Sequence, residues 1–242
     1  CYYCVLVNKI YVNIINYEQK IKKGGEKMSL KIKVYSDYVC PFCFLAKFPF
    51  EEAIKGKDVD VEWVPYELRP EPAEQLDPIN DPSKLILWER YIYPTIEKLN
   101  INMKLPNVSP HPYTGLAFQG YHYAKEHGKD KEYNDRVFKA LFQEDKNIGE
   151  IHILKELAKE IGLNENDFEK SLLSSKYKEV QNKALNHAYN EANISAVPTF
   201  IIGDIVMNGF NNKEDFEAVI KGELESQYNN SSLTCTVDGI CE

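Results

Sequence analysis

The chain has 242 residues, enough for one or two domains with a substantial hydrophobic core. Its 37 acidic and 29 basic residues give a net charge of −8, and no basic stripe runs along it, so we expect no nucleic-acid partner. Four of the six cysteines fall at the ends of the chain, a spacing unlike the framework of a small secreted disulfide-rich domain.

The segment 1–27 is too polar for a membrane span and has no charged start typical of a signal peptide. Gly24-Gly25-Glu26 can be encoded by GGAGGTGAA, a bacterial ribosome-binding sequence, at the usual distance from a start codon at Met28. Our hypothesis is that Met28 is the natural start and that residues 1–27 are translated upstream sequence. The alternative is a genuine, poorly structured extension. With Met28 as the start we expect a cytoplasmic, bacterial protein without a membrane partner, and the intact mass of the natively expressed protein tests this.

A strand predicted over Leu30 to Tyr35 leads into Cys40-Pro41-Phe42-Cys43, and a helix is predicted to follow over Phe44 to Ile54. Cys40 then falls at or just before the first helical turn, where free backbone N–H groups and the helix dipole favour a thiolate. Cys43 lies one turn further on, in position to attack a mixed disulfide formed at Cys40. The pattern predicts a nucleophilic and a resolving thiol.

A CxxC pair is also typical of half a zinc site, and two buried thiols without chemistry remain a further alternative. The preceding strand and Pro41, which suits the first position of a helix, favour the redox interpretation.

A second feature is Val197-Pro198, which stands directly before the apolar run Thr199 to Ile202. Proline is unusual at the opening of an interior strand, because it removes a donor from the hydrogen-bond ladder. It is expected there if the Val197–Pro198 bond is cis and lies in a tight loop.

These motifs together resemble the DsbA-like branch of the thioredoxin superfamily, most closely its cytoplasmic FrnE-like group. The matching stretches are Asp37 to Cys43, Pro65 to Pro70 and Ser195 to Phe200, within a span of residues 29–222. The resemblance implies that the proline loop faces the cysteines and receives an extended substrate through backbone hydrogen bonds. It makes Val197 and Pro198 substrate contacts beside Cys40, supported by Asp37, Pro41 and Phe42.

The remaining pattern predicts the fold. A second strand over Val59 to Tyr66 completes a β-α-β unit with parallel strands, and residues 81–193 read as helical throughout. A hairpin of Thr199 to Ile202 with Ile205 to Met207, and a closing helix Lys213 to Lys221, follow. We therefore predict an α/β, thioredoxin-like, DsbA-like fold with a large all-α insertion. The predicted parts are a leader (1–27), the two halves of the thioredoxin-like domain (28–80 and 194–225), the helical insertion (81–193) and a flexible tail with a cysteine pair (226–242).

Within the insertion the sequence predicts an N-cap at Asp81, a bend or break at Pro94, and a stop at Gly162 followed by a cap at Asn164. The predicted helices after Pro94 are Thr114 to Glu126, Lys131 to Glu144, Glu150 to Ile161, Asn166 to Leu173 and Lys176 to Ala192.

Several polar residues have both a functional and a structural interpretation. The resemblance brings His111 near the dithiol, where it could stabilise a thiolate or steer substrate; a loop histidine without a role is the alternative. Glu62, Glu67 and Arg69 could influence the site or be solvated charges. No histidine has the spacing of a metal motif, so we expect no metal centre and no cofactor beyond the cysteines.

The tail holds Cys235 and Cys241, separated by the turn-forming pair Asp238-Gly239. FrnE-like proteins often carry a second C-terminal pair, and this one resembles it. The functional hypothesis is an accessory dithiol that relays disulfides to the Cys40–Cys43 pair. The alternative is an inert disulfide or free thiols.

The function predicted is thiol–disulfide exchange with proteins or low-molecular-weight thiols, by a monomer or homodimer. Because Pro41-Phe42 offers no cation or hydrogen bond to Cys40, we expect a potential of about −180 to −230 mV, suited to a reductase or isomerase. One alternative is a glutathione-transferase kappa or hydroxychromene-carboxylate isomerase-like enzyme, although those enzymes usually have serine in place of Cys40. The other is a Cys₄ zinc module formed by Cys40, Cys43, Cys235 and Cys241.

Overall fold

A four-stranded sheet in the order β2-β1-β3-β4 lies at the centre of the computed structural model, which describes residues 29–232. β1 pairs in parallel with β2 and antiparallel with β3, and β3 continues antiparallel into β4. Gly203 and Asp204 form the hairpin turn, as predicted, and Gly203 has a φ of +56°. The strands are β1 (Leu30–Ser36), β2 (Val59–Pro65), β3 (Thr199–Ile202) and β4 (Ile205–Asn208).

Helix α1 (Pro41–Ile54) connects the parallel strands β1 and β2, as the sequence predicted. In the register of this pair, Leu30 lies opposite Val59 and Ser36 lies opposite Pro65. The carboxyl end of β1 therefore delivers the chain directly to the cysteine pair at the start of α1.

The segment between β2 and β3 is helical, as predicted. Asp81 caps α2 by accepting a hydrogen bond from Ser83 N at 2.8 Å, and Asn164 caps α7 by accepting from two backbone N–H groups. The break predicted at Pro94 takes the form of a π-helical turn, Trp88–Ile92, directly before α3. A second π-helical turn, His187–Glu191, extends α8. The helices are α2 (Pro82–Leu87), α3 (Tyr93–Leu99), α4 (Gly115–Glu126), α5 (Asp130–Phe142), α6 (Ile151–Glu160), α7 (Glu165–Leu173) and α8 (Lys178–Asn186).

The closing helix α9 (Lys213–Ser232) is longer than the sequence predicted. The expectation of a helix that ends at Lys221 and an irregular tail from residue 226 is wrong for residues 226–232. Leu224 packs against the sheet core and Glu223 accepts a hydrogen bond from Asp204 N at 3.2 Å, so contacts with the β3–β4 hairpin continue the helix past Gly222.

Two hydrophobic cores share helix α1. Phe44 and Leu45 pack with the helical segment, whereas Phe50 and Ala53 pack between the sheet and α9. A third, smaller cluster forms on the sheet's other face, where Tyr35 and Tyr66 meet the π-helical turn after α8. The dithiol at the start of α1 thus lies where the sheet and the helical segment meet.

Between residues 29 and 232, the structure contains no helix long and apolar enough to cross a membrane.

Candidate active site

Cys40 is the N-cap residue of α1, in extended backbone conformation (φ −87°, ψ 113°), with Pro41 at the first helical position. The N–H groups of Cys43 and Phe44 both donate to Cys40 O, at 3.1 and 3.4 Å. The two cysteines are free thiols, with exposed fractions of 5% and 1%. The predicted position of Cys40 at the helix start is therefore confirmed, and Cys43 lies behind it in the core.

Burial raises the pKa of the Cys43 thiol well above its usual value, and the neighbouring Cys40 sulfur raises it further through a hydrogen bond and charge. The Asp37 backbone N–H and, to a smaller extent, the Ser36 hydroxyl act in the opposite direction and lower the pKa of Cys43. Because burial is the largest effect, Cys43 is a protonated thiol at neutral pH.

The loop that precedes β3 packs against the first cysteine. The Val197–Pro198 peptide is cis, and Val197 O accepts a hydrogen bond from Cys40 Sγ at 3.6 Å. Thr199 Oγ1 lies 2.8 Å from Ala196 O and 2.7 Å from Asn208 Oδ1, and Gly209 N donates to Pro198 O at 2.8 Å. These bonds anchor the proline loop to β3 and to the end of β4.

Asp37 ties this dithiol loop to two other segments. Its carboxyl is fully buried and accepts hydrogen bonds from Leu68 N at 2.6 Å, from Val39 N at 3.4 Å and from the Thr114 side chain. Burial, with a smaller contribution from the charge of Glu67, raises the pKa of Asp37 to about 7. The carboxyl faces the loop after β2 and the start of α4, so its position fits a supporting role for the dithiol loop.

His111 is buried beside the same loop. Its Nδ1 lies 2.8 Å from Val108 O, and the side chain lines a small pocket together with Asp37 and Val39. Burial lowers the pKa of His111, which favours the neutral imidazole at pH 7. Within residues 29–232, no hydrogen bond joins its ring to either cysteine, so a direct role at the sulfur stays a prediction.

The sequence left two interpretations of Glu67, an influence on the site or a solvated charge, and the second is wrong. It is buried, and its Oε1 accepts a hydrogen bond from Gln181 Nε2 at 2.8 Å; burial is also the main cause that raises its pKa. Glu62, by contrast, forms an exposed ion pair with Lys125, and Arg69 is exposed. Glu67 lines a cavity of about 960 Å³ between the loop after β2, the start of α4 and α8, and the lining of this cavity includes neither cysteine.

Four residues of the site were not predicted to have a role: Ser36, Leu68, Thr114 and Thr199. Leu68 contributes its backbone N–H, which donates to Asp37 from 31 positions along the sequence. Because almost any residue can supply such a donor, the residue type gives no signal. The short polar side chains at the end of β1, before α4 and after Pro198 were visible signals, but each also fits an ordinary strand end or helix cap.

The part of the chain that the structure describes contains no group of three or more histidine, cysteine or acidic residues able to hold a metal ion. Cys235 and Cys241 lie outside the described residues, so the predicted accessory pair and the Cys₄ zinc alternative stay predictions.

A family model described as a DSBA-like thioredoxin domain matches residues 31–221. The uncharacterized protein YwbO of Bacillus subtilis (strain 168) is 60% identical over 200 residues, which cover 83% of this chain and 100% of that protein.

Solved structures with low identity share the fold. The probable DsbA oxidoreductase SCO1869 from Streptomyces coelicolor superposes with a TM-score of 0.68 at 19% identity, covering 81% of this chain and 90% of that one. A 2-hydroxychromene-2-carboxylate isomerase gives 0.63 at 16% identity, covering 85% and 100%. The cytosolic disulfide reductase DsbM from Pseudomonas aeruginosa, solved with GSH, gives 0.56 at 16% identity, covering 81% and 100%. The predicted fold, a thioredoxin-like sheet with a helical insertion, is confirmed.

Proposed function

We propose that this chain, which belongs to the family of DSBA-like thioredoxin domains, is a thiol–disulfide oxidoreductase whose reacting groups are Cys40 and Cys43. The observation that carries the proposal is the contact between Cys40 Sγ and Val197 O, at 3.6 Å. It places a thiol at a helix start directly against a loop whose backbone can pair with an extended substrate.

In the proposed reaction, the Cys40 thiolate attacks one sulfur of a substrate disulfide and displaces the other sulfur as a thiolate. Cys43 then attacks Cys40 Sγ, which breaks the mixed disulfide and releases the second substrate sulfur. The substrate disulfide is reduced to two thiols, the Cys40–Cys43 pair is oxidised to a disulfide, and the two cysteine protons pass to the departing sulfurs.

We propose reduction or isomerisation as the physiological direction. Among the described side chains, no cation or donor other than Cys43 contacts the Cys40 sulfur, and Phe42 between the cysteines is apolar. A thiolate without such donors is less stabilised, and the pair is then less oxidising than DsbA, whose reduced form is stabilised.

The substrates would be disulfides of proteins or of low-molecular-weight thiols. The fold shared with a cytosolic disulfide reductase solved with GSH supports this class and a cytoplasmic location. Membership of the FrnE-like group stays a prediction.

The second candidate function is isomerase or transferase chemistry on small thiol conjugates. The observations that favour it are the fold shared with 2-hydroxychromene-2-carboxylate isomerase and the cavity of about 960 Å³ beside Glu67. Two free cysteines, the first of which contacts the proline loop, favour disulfide exchange. Turnover of a small thiol conjugate that persists in Cys43→Ser would favour the second candidate.

The test is a redox titration of the full chain in glutathione buffers, with thiols and zinc counted in the same samples. We expect a reversible two-electron transition that is lost in Cys40→Ser, and a mixed disulfide with a substrate protein that accumulates in Cys43→Ser. A zinc-bound protein whose cysteines do not titrate would overturn the proposal in favour of the Cys₄ module.

The double variant Cys235→Ser/Cys241→Ser tests the accessory relay. Unchanged turnover and redox potential in this variant would rule out the relay hypothesis.

A further inference from the structure

The cavity beside Glu67 has a polar wall formed by residues that are far apart in sequence. Glu67 is 5% exposed, and Gln181 from α8 is 3% exposed. Gln181 Nε2 donates to Glu67 Oε1 at 2.8 Å, and His122 Nε2 lies 2.9 Å from Gln181 Oε1. The Tyr189 hydroxyl donates to the backbone oxygen of Glu67. These three side chains hold one buried carboxylate in a fixed position at the cavity wall.

No described residue supplies the positive charge that a buried carboxylate normally pairs with. Between residues 29 and 232, no ion pair includes Glu67 and no hydrogen bond reaches its second oxygen, Oε2. Burial raises the pKa of Glu67, and the negative charge of Glu71, which lines the same cavity, raises it further. Lys178, the only basic residue among the described ones that line the cavity, is exposed. The carboxylate therefore lacks a cation.

Gln119 supplies a second acceptor without a partner. It lines the cavity and is 9% exposed, and its amide Oε1 has no hydrogen-bond partner within the described residues. Gly115 lies four residues earlier on the same face of α4, and both carboxylate oxygens of Glu67 lie 3.4 Å from the position that a Cβ on Gly115 would take. Because helical side chains lean toward the start of their helix, the Gln119 amide leans toward Glu67. The two open acceptors thus lie on the same side of the cavity.

We infer that this cavity binds a small molecule through a primary ammonium group that donates to Glu67 and Gln119. An ammonium group has three donors and a full positive charge, which match one open carboxylate oxygen beside one amide oxygen. A guanidinium group binds best to both oxygens of a carboxylate at once, and Gln181 already donates to Oε1. A cavity of about 960 Å³ accommodates a molecule much larger than the ammonium group itself.

The rest of the lining indicates the chemistry of the remaining ligand. It includes the apolar side chains of Val108, Leu116 and Leu185 and the amides of Asn147 and Asn182. An alkyl chain that ends in an amide complements such a surface. Because the lining includes neither cysteine, this binding site goes beyond the proposed function and does not depend on thiol chemistry.

The probe is ε-aminocaproamide, in which a short alkyl chain joins an ammonium group to an amide. It is titrated into the full chain at pH 8, where the amine is protonated, and proton–nitrogen correlation spectra follow the backbone amides. We expect saturable shifts of the Gly115 and Gly149 signals, since both residues line the cavity, and no shift of Gly222 in α9. The uncharged ε-hydroxycaproamide should bind at least about tenfold more weakly, and ε-guanidinocaproamide should also bind more weakly than the amine.

Three variants locate the contact. Glu67→Gln keeps the oxygen that accepts from Gln181 but removes the charge, so it should weaken probe binding about 10- to 100-fold. Gln119→Met keeps the length of the side chain but removes the acceptor, and should weaken binding about 3- to 10-fold. Glu74→Gln is the matched control, because it removes the same charge from an exposed position of the same loop, outside the cavity lining. Its affinity should stay within about twofold of the wild type, since exposed charges are screened.

The double variant Cys40→Ser/Cys43→Ser should bind the probe with the affinity of the wild type, so a failure of the proposed redox function would leave this result unaffected. The inference is overturned if the probe gives no saturable shift at Gly115 and Gly149, or if either Glu67→Gln or Gln119→Met binds it as tightly as the wild type. Equal affinity for the guanidinium compound would overturn the assignment of an ammonium group.

Discussion

The buried carboxyl of Asp37 holds the reactive loop in place, and its contribution to the free energy of unfolding depends on pH. Its oxygens accept from Leu68 N and Val39 N, so the loop before Cys40 is fixed to the chain after β2. Because burial raises its pKa to about 7, the folded protein retains a proton that the unfolded chain releases near pH 4.

This difference makes Asp37 a source of stability that is fully present below pH 4 and is lost as pH rises through 7. We expect its contribution to fall by at most about 1.4 kcal/mol per pH unit in that window. Asp37→Asn keeps an oxygen that can accept from Leu68 N but does not titrate. The free energy of unfolding in urea, measured at pH 5 and pH 8, should therefore fall less with pH in Asp37→Asn than in the wild type.

The matched control is Asp204→Asn, a change of the same kind at an exposed turn residue. It should retain the wild-type pH dependence. An equal loss of stability between pH 5 and pH 8 in Asp37→Asn and the wild type would show that Asp37 does not carry this proton.

Phe42 permits a second prediction at the residue scale. Histidine at this position can donate to the Cys40 sulfur or place a positive charge beside it, which phenylalanine cannot do. We expect Phe42→His to stabilise the reduced pair and to make the potential less negative by tens of millivolts, where 30 mV is a tenfold change in the equilibrium constant. Equilibration with glutathione buffers measures the shift. Phe42→Leu, which adds no donor, should leave the potential within a few millivolts of the wild type, and an equal shift in both variants would contradict the argument.

Whether the sequence alone reveals that a residue matters depends on the kind of contact that the residue makes. Cys40 and Pro198 could be predicted to matter because two sulfurs at a helix start and a proline at a strand opening are unusual in themselves. Ser36 and Thr114 could not, because their roles depend on which buried atom each hydroxyl faces, and that is set by packing between segments far apart in sequence.

At the scale of elements, the ends of helices were more predictable where local chemistry sets them than where packing does. Asn164 caps α7 with its own side chain, and Gly162 before it has a φ of +84°, so both signals were correct. The closing helix was predicted to end at Lys221, yet α9 continues through Gly222 to Ser232. The apolar positions Phe216, Ile220 and Leu224 continue at a spacing of four, and their burial against the sheet outweighs the low helix propensity of glycine.

Two glycines near the hairpin should therefore respond to alanine in opposite ways. Gly209 has a φ of +73° with no atom within 4 Å of an added Cβ, so alanine there suffers only backbone strain, about 1–2 kcal/mol. Gly222 has equal space but lies within a helix, so alanine should stabilise by about 0.5–1 kcal/mol. Urea unfolding of both variants tests the pair, and a destabilised Gly222→Ala would show that α9 does not form through this position in solution.

Across the whole molecule, the sheet and the helical segment depend on each other because α1 contributes to both cores. Phe44 on this helix stacks on Phe138 and Phe142 of α5, while Phe50 contacts Phe200 of β3 and Phe216 of α9. The sequence predicted both parts from their different periodicities. It did not reveal that one helix serves both, because the apolar residues of α1 surround the helix and show no single preferred face.

This sharing predicts one cooperative unfolding transition, and the two tryptophans of the chain can report it separately. Trp63 lies in β2 and Trp88 in the π-helical turn after α2, so Trp88→Phe leaves a reporter in the sheet and Trp63→Phe leaves one in the helical segment. Fluorescence transitions of the two variants in urea, each compared with its own loss of helical circular dichroism, should coincide.

Adding Phe50→Ala, which empties a fully buried position of the sheet core, should lower the free energy of unfolding by about 3–5 kcal/mol as measured by either tryptophan. The exposed Tyr91→Ala is the control and should change neither transition. A Phe50→Ala change that moves the Trp63 transition but leaves the Trp88 transition in place would mean that the helical segment folds without the sheet, and that α1 does not join the two cores into one unit.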